Sequence, residues 1–298
     1  MTNRIIYAII IFFSRMPFVV LYLISDFIAF LLNHVFGYRK EVIMNNLRNS
    51  FPEKEEKELN EIRIQFNKNF SDQMVETLKM FTISGKELAK RLIYDNAEQL
   101  TKYAKEGRSV MLASGHYGNW EYPSGFPFTI PGFDGYNVVY APIENKYLND
   151  RIVSSREQFG IHLVSMKQAM KEIKDHPNHG QVYGFLFDQS PHKSRVKYDL
   201  QFLNQTTPVH LGVENVSKLK NAVVITLEIY RVKRGFYRAK SNMLTETPNE
   251  MPQYEITNEL FRRLEETIKR DPAQWLWSHK RWKYQPGKDY NLENNPKN

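Results

Sequence analysis

The chain has 298 residues, 42% of them hydrophobic and 25% charged, with a formal net charge of +8 and no cysteine. Such a length and composition suit one large or two modest globular domains, and the charge favours an anionic partner such as nucleic acid, a phospholipid surface, an acidic carrier protein or a phosphorylated substrate. A thiol nucleophile, a Cys-ligated zinc and a disulfide framework are excluded, and with no glycine-rich nucleotide fingerprint, P-loop or G-x-S-x-G elbow the chemistry falls to His, carboxylates and hydroxyls.

From Ile5 to Phe36 the chain is dominated by Ile, Phe, Leu and Val, interrupted by Ser14-Arg15, Pro17 and Ser25-Asp26. The part from Met16 to Phe36 comes close to the roughly 20 apolar residues of a membrane span. One span, or a deeply inserted hairpin-like anchor, is therefore expected within residues 1–40. Two rival readings are a cleaved signal peptide, against which the apolar region is too long and lacks a small-x-small site, and a buried core helix. Arg39-Lys40 after the stretch place residues 41–298 on the cytoplasmic side by the positive-inside rule.

Ser50-Phe51-Pro52-Glu53 reads as a capping box. It would open a long amphipathic helix carrying Leu59, Ile62, Phe66, Phe70, Met74, Leu78 and Phe81 on one face. Helices are then expected over Asn96 to Glu106, Asn145 to Phe159, Met166 to Asp175, Val209 to Lys220 and Tyr254 to Arg270. Strands are expected over Ser109 to Ala113, Tyr136 to Tyr140, Ile161 to Val164, Val182 to Phe187 and Ala222 to Tyr230, with an antiparallel one over Phe236 to Lys240. Strands interleaved with helices predict an α/β fold, a mainly parallel sheet flanked by helices behind an N-terminal membrane helix.

The chemistry concentrates in His116-Tyr117-Gly118-Asn119-Trp120-Glu121, which follows a predicted strand; ligands of open α/β sheets bind at such ends. On a continuous helix His116 and Glu121 would lie about 140° apart. Gly115 and Gly118 permit a turn that folds them together. A carboxylate on one ring nitrogen sets the tautomer and the basicity of the other, so the pair could activate a hydroxyl; a structural hydrogen bond is the alternative. Asp188 closes an apolar strand, an expensive place for an unpaired charge, where it either pairs with an Arg or the substrate or caps the next loop. Trp275, Trp277 and Trp282, laced with Lys280, Arg281 and Lys283, suit either a membrane interface or core packing. His176 and His179 lack a third ligand and read as a polar turn rather than a metal pair.

The order of these blocks resembles the lipid A biosynthesis (late, secondary) acyltransferases within the lysophospholipid acyltransferase superfamily. The resemblance rests on Gly115 to Glu121, with its His-x4-Glu spacing, on Tyr140-Ala141-Pro142 to Asn145, Arg156 to Gly160, Phe187-Asp188-Gln189, Thr206-Thr207-Pro208, and Gln274 to Arg281. It implies a glycerolipid acyltransferase-like fold in which His116 is the general base and Glu121 orients it. It further implies acyl carrier protein as donor, a lipid A precursor hydroxyl as acceptor, no metal or organic cofactor, and a place on the cytoplasmic face of a bacterial inner membrane. Gly118, Asn119, Arg151, Arg156, Asp188, Lys193 and Arg195 are the expected substrate-binding residues. Relatives commonly carry Arg where this chain has Ala141, so the role of that Arg passes to Arg151, Arg156 or the basic run His192 to Lys197. Other lipid acceptors and a non-catalytic membrane adaptor are the alternatives; the expected anchor argues against nucleic acid.

Overall fold

The computed structural model describes residues 2–292. Its apolar N-terminus is two helices, α1 (Thr2–Ser14) and α2 (Phe18–His34), bent by 115° across the break at Arg15-Met16-Pro17. Pro17 causes the break, because it has no N–H to continue α1 and disfavours helical backbone at the residue before it. Of the two expectations for residues 1–40, a single span is not shown, and the bent pair has the form of the hairpin-like alternative. Among the described residues no single helix is long and apolar enough to cross a membrane, although the bent pair together has the length and composition to do so.

The polar residues that interrupt the apolar stretch are used against the body of the protein. Two further helices follow, α3 (Lys40–Ser50) and α4 (Glu56–Lys79), and α2 buries Leu21, Ser25 and Ala29, one residue per turn, along α4. Ser25 donates to Asp72 at 2.6 Å, Tyr22 donates to Glu76 at 2.9 Å, and Asp26 pairs with Arg234 at 2.6 Å. The other side of the helices is left bare: Ile9, Phe12, Val19, Leu23, Phe27 and Phe30 are each at least half exposed.

The capping box lies five residues later than the sequence suggests. Ser50 ends α3, and the Glu58 carboxylate accepts the Glu55 N–H at the start of α4. The apolar face of α4 is also incomplete: Leu59, Phe66 and Val75 are buried, but so are Asn67, Ser71, Asp72 and Glu76, while Met74 is exposed.

The remaining elements are α5 (Gly85–Arg91), β1 (Leu92–Asp95), α6 (Ala97–Lys105), β2 (Val110–Ser114), α7 (Phe126–Thr129), β3 (Gly135–Tyr140) and α8 (Lys146–Glu157), then β4 (His162–Ser165), α9 (Ala169–Asp175) and β5 (Gln181–Leu186). After them come β6 (Asp199–Phe202), β7 (Gln205–Pro208), α10 (Gly212–Lys220), β8 (Val223–Lys233), β9 (Phe236–Thr245) and α11 (Glu255–Arg270). Seven strands form one sheet in the order β1-β9-β8-β2-β5-β3-β4. From β8 to β4 all neighbours are parallel; β9 runs antiparallel to β8, and β1 follows β9. Strands β6 and β7 make a separate hairpin whose two turn residues, Leu203 and Asn204, both have positive φ, as the tightest hairpin turn requires.

Strand β2 is buried throughout because helices cover both faces of the sheet. Its Met111 and Ala113 pack with Tyr183, Val224, Phe261, Trp275 and Trp277, whereas Val110 and Leu112 pack with Leu100, Tyr103, Val182 and Ile225. The chain leaves β2 for β3, two places away, and returns through β5 to lie beside β2. That reversal opens a crevice at the carboxyl ends of β2 and β5.

Candidate active site

The register of β2 on β5 builds the site. Val110 lies opposite Val182 and Ser114 opposite Leu186, and two residues further on the same spacing brings His116 opposite Asp188. The His116 backbone N–H donates to Asp188 Oδ2 at 2.8 Å, and the ring Nδ1 lies 2.6 Å from Asp188 Oδ1. Trp275 adds its indole N–H to Oδ2 at 2.7 Å. Burial by itself would raise the pKa of Asp188; His116, through charge and two hydrogen bonds, and Trp275 outweigh it and hold the carboxyl at about 2. An ionised Asp188 can only accept, so Nδ1 carries a proton, and in the neutral ring Nε2 then presents the lone pair. The Gln189 side-chain amide meets that nitrogen at 3.1 Å.

The loop that carries His116 is clamped from below. Leu276 N–H donates to the His116 carbonyl at 3.1 Å, Gly118 N–H donates to the Gln274 carbonyl at 3.1 Å, and Tyr117 pairs with Trp275 as an antiparallel bridge. Gly118 has φ +62°, and a Cβ there would stand 2.3 Å from the Ile229 carbonyl oxygen, so no other residue fits. The Trp120 ring meets the His116 ring edge-on at 5.2 Å.

Glu121 is placed differently from the expectation. Its two oxygens accept from Arg156 Nε and Nη2 at 2.9 and 2.7 Å, a bidentate pair. The carboxylate bonded to His116 is Asp188, and Glu121 belongs to Arg156. His116 and the Glu121–Arg156 pair meet in a cavity of about 390 Å³, lined also by Trp120, Phe187 and Gln189, with Asp188 buried behind it. Its size and its apolar walls with a few convergent polar groups are those of a small-molecule site.

Residues 2–284 match the family model of the bacterial lipid A biosynthesis acyltransferases. The chain belongs to that family. No curated protein matches it. In this member of the acyltransferase family the other expected site residues are spread out. Asn119 is fully buried and does not line the cavity: its side-chain oxygen accepts the N–H groups of Glu121 and Tyr122, both at 3.1 Å, and its amide donates to Glu76 at 2.6 Å. Arg151 lies over the rings of Tyr7 and Tyr147, in a smaller cavity of about 160 Å³ between α1, α4 and α8 that Glu121 and Arg156 also line. Lys193 and Arg195 occupy a short exposed turn after β5.

Trp275 and Trp277 are core residues, with edge-to-face rings 4.7 Å apart. His176 stacks on Tyr183, and Lys220 ties that turn by donating to the carbonyls of Lys174 and His176 and to Asn178. A wider groove of about 900 Å³ lies beside α11, floored by Gly115 and edged by Arg262, Arg263 and Arg270. Glutamates pair each of those three arginines.

Sequence reasoning did not find the link from Asp188 to His116, the support from Trp275, or the buried Glu76 behind Asn119. Asp188 did leave a signal, a charge at the end of an apolar strand. Trp275 and Glu76 left none beyond a place in a matching block and on a helix.

Proposed function

We propose that this acyltransferase-family protein moves a fatty acyl group from a thioester on acyl carrier protein to a hydroxyl of a lipid A precursor at a membrane surface. The observation that carries the reading is the Nδ1 contact of His116 with a buried, ionised Asp188 at the mouth of the cavity. Nε2 takes the proton of the acceptor hydroxyl as its oxygen attacks the thioester carbonyl. The tetrahedral intermediate collapses with loss of thiolate, which regains the proton from Nε2–H. Asp188 stabilises the imidazolium between the two transfers. Arg156, with Nε and Nη2 held by Glu121, has Nη1 left to donate to the developing oxyanion. It thereby takes the part expected of an Arg at Ala141.

The bare apolar side of α1 and α2 supports docking on lipid, with the helices lying in the interface. Arg39 and Lys40 at its end suit the anionic lipids of the cytoplasmic leaflet of a bacterial inner membrane. Replacing His116 with Ala should lower transfer by roughly 10²-fold to 10⁴-fold, and Asp188→Asn should approach that loss by favouring the wrong tautomer. Glu121→Gln should cost less, since an amide retains one bond to Arg156. Initial rates of acyl transfer from carrier thioester decide this; an Asp188→Asn enzyme at wild-type rate beside an inactive Glu121→Gln enzyme would restore Glu121 as the partner of His116.

A further inference from the structure

Two basic segments far apart in the chain meet beside the catalytic cavity. Lys193, Arg195 and Lys197 follow β5; Lys280, Arg281 and Lys283 follow α11. Ser190 N–H donates to His279 Nε2 at 3.2 Å, the His192 and Tyr284 rings lie 6.1 Å apart, Arg281 Nη2 donates to the Pro208 carbonyl at 2.8 Å, and Trp282 donates to Thr207 at 2.7 Å. Gln189, Ser190 and His210 carry this surface into the cavity that holds His116. Among the described residues none of the six cations has a carboxylate partner, although most arginines elsewhere do.

Arg281 is the unusual member. Its side chain is fully buried, yet Nε and Nη1 have no hydrogen-bond partner among the described residues. Leaving guanidinium donors buried and unmet costs free energy, against which the structure sets one bond to Pro208 and the Phe261 ring at 5.8 Å. Burial, with only Asp188 and Tyr290 opposing it, lowers the pKa of Arg281 to about 10. Burial and then the charge of Arg281 push both His210 and His279 down to about 4, so the two rings stay neutral. His279 accepts from Ser190 on Nε2, which leaves its Nδ1–H as a donor. The result is a positive field with neutral donors, opposed only in part by Asp188.

We propose that this surface binds a phosphate group of the acceptor lipid and so sets the acceptor hydroxyl against His116; the inference rests on the acyl-transfer reading above. A small multivalent anion can accept from Arg195, Lys283 and the recessed donors together and lie within the field of Arg281. The carboxylates of a folded acidic partner would meet the exposed cations alone, which is why phosphate is favoured over carrier docking.

The test uses the full chain and two triple variants of equal charge, all at exposed positions: Lys193→Ala/Arg195→Ala/Lys283→Ala, and Lys86→Ala/Lys90→Ala/Lys105→Ala as control. Calorimetric titration with inorganic pyrophosphate should show saturable binding that weakens at least tenfold in the first variant and is retained in the second. Kinetically, the first variant should raise KM for a phosphorylated lipid A precursor and leave KM for the phosphatase-treated lipid within twofold. No pyrophosphate binding, or equal weakening in both variants, overturns the site. A rise confined to KM for the carrier thioester overturns it in favour of carrier docking. The titration needs no turnover, so a wild-type chain that binds pyrophosphate without transferring acyl groups would defeat the catalytic reading and leave the anion site standing.

Discussion

Asp188 and Gly118 show how narrowly single residues are constrained at this site. Gly118 combines a left-handed backbone with a carbonyl at the position of its missing Cβ, whereas Gly107 has a similar φ, +66°, with open space around it. Both Gly→Ala changes impose backbone strain, but only Gly118→Ala adds a collision with the main chain of Ile229. Gly118→Ala should therefore destabilise by roughly 1–3 kcal/mol more than Gly107→Ala and should depress transfer, because the strain falls between His116 and Glu121. Denaturant midpoints for the two variants check this, and equal midpoints would refute the collision. At this scale His116 was legible from the sequence as a candidate, through its glycine-bearing turn after a strand, with a structural hydrogen bond as the alternative. Its true partner was not, because Asp188 lies 72 positions away and nothing local connects them.

Elements, more than single side chains, tie the N-terminal helices to the catalytic loop. Glu76 on α4 accepts from Tyr22 of α2, from Asn119 of the loop and from Tyr237 of β9, at 2.9, 2.6 and 2.8 Å. Burial lifts its pKa to about 7 even though those three bonds act to lower it. The folded chain thus keeps this proton to about pH 7, while the unfolded chain releases it near the ordinary glutamate value of 4.5. The resulting stability is fully present below about pH 4.5 and is lost as pH rises through about 7. Glu76→Gln removes the titration and keeps an acceptor for Asn119. Its melting temperature minus that of wild type should become more positive between pH 5 and pH 8; a pH-independent difference would show that Glu76 is already charged when folded.

The same scale shows where periodicity misleads. The strands from Val110, Val182 and Val223 were legible as apolar runs, but β1 has four residues with Ile93 exposed, and β6 and β7 are a short, partly exposed hairpin. The helix α4 defeats the amphipathic rule because its inner face is half polar, matched by Ser25, Tyr22 and the arginines of the β8–β9 end rather than by apolar side chains.

Taken whole, the molecule bares apolar side chains on α1 and α2 and opens its crevice at the carboxyl ends of the central strands β2 and β5. Leu23 and Phe27 are 65% and 62% exposed on α2, so converting both to Ser should leave the fold nearly unchanged. If that surface lies in lipid, each loss forfeits about 1.5–3 kcal/mol of burial, and co-sedimentation with anionic phospholipid vesicles should fall more than tenfold. Undiminished sedimentation would remove α2 from the membrane contact.

From residues alone came the alternation of strand and helix, the long apolar N-terminus and the placing of His116 and Asp188 at strand ends, which follow from the local composition and periodicity that every short window of sequence carries. The family came from a resemblance in the order of its blocks along nearly the whole chain. Tertiary structure decided which carboxylate holds His116, because the parallel register of β2 on β5 aligns residues that no local pattern links. It also decided that Ser25 and Asp26 pair with Asp72 of α4 and with Arg234, and that two basic runs converge beside the cavity that holds His116. Such outcomes depend on which surfaces pack together, and packing is a property of the whole chain.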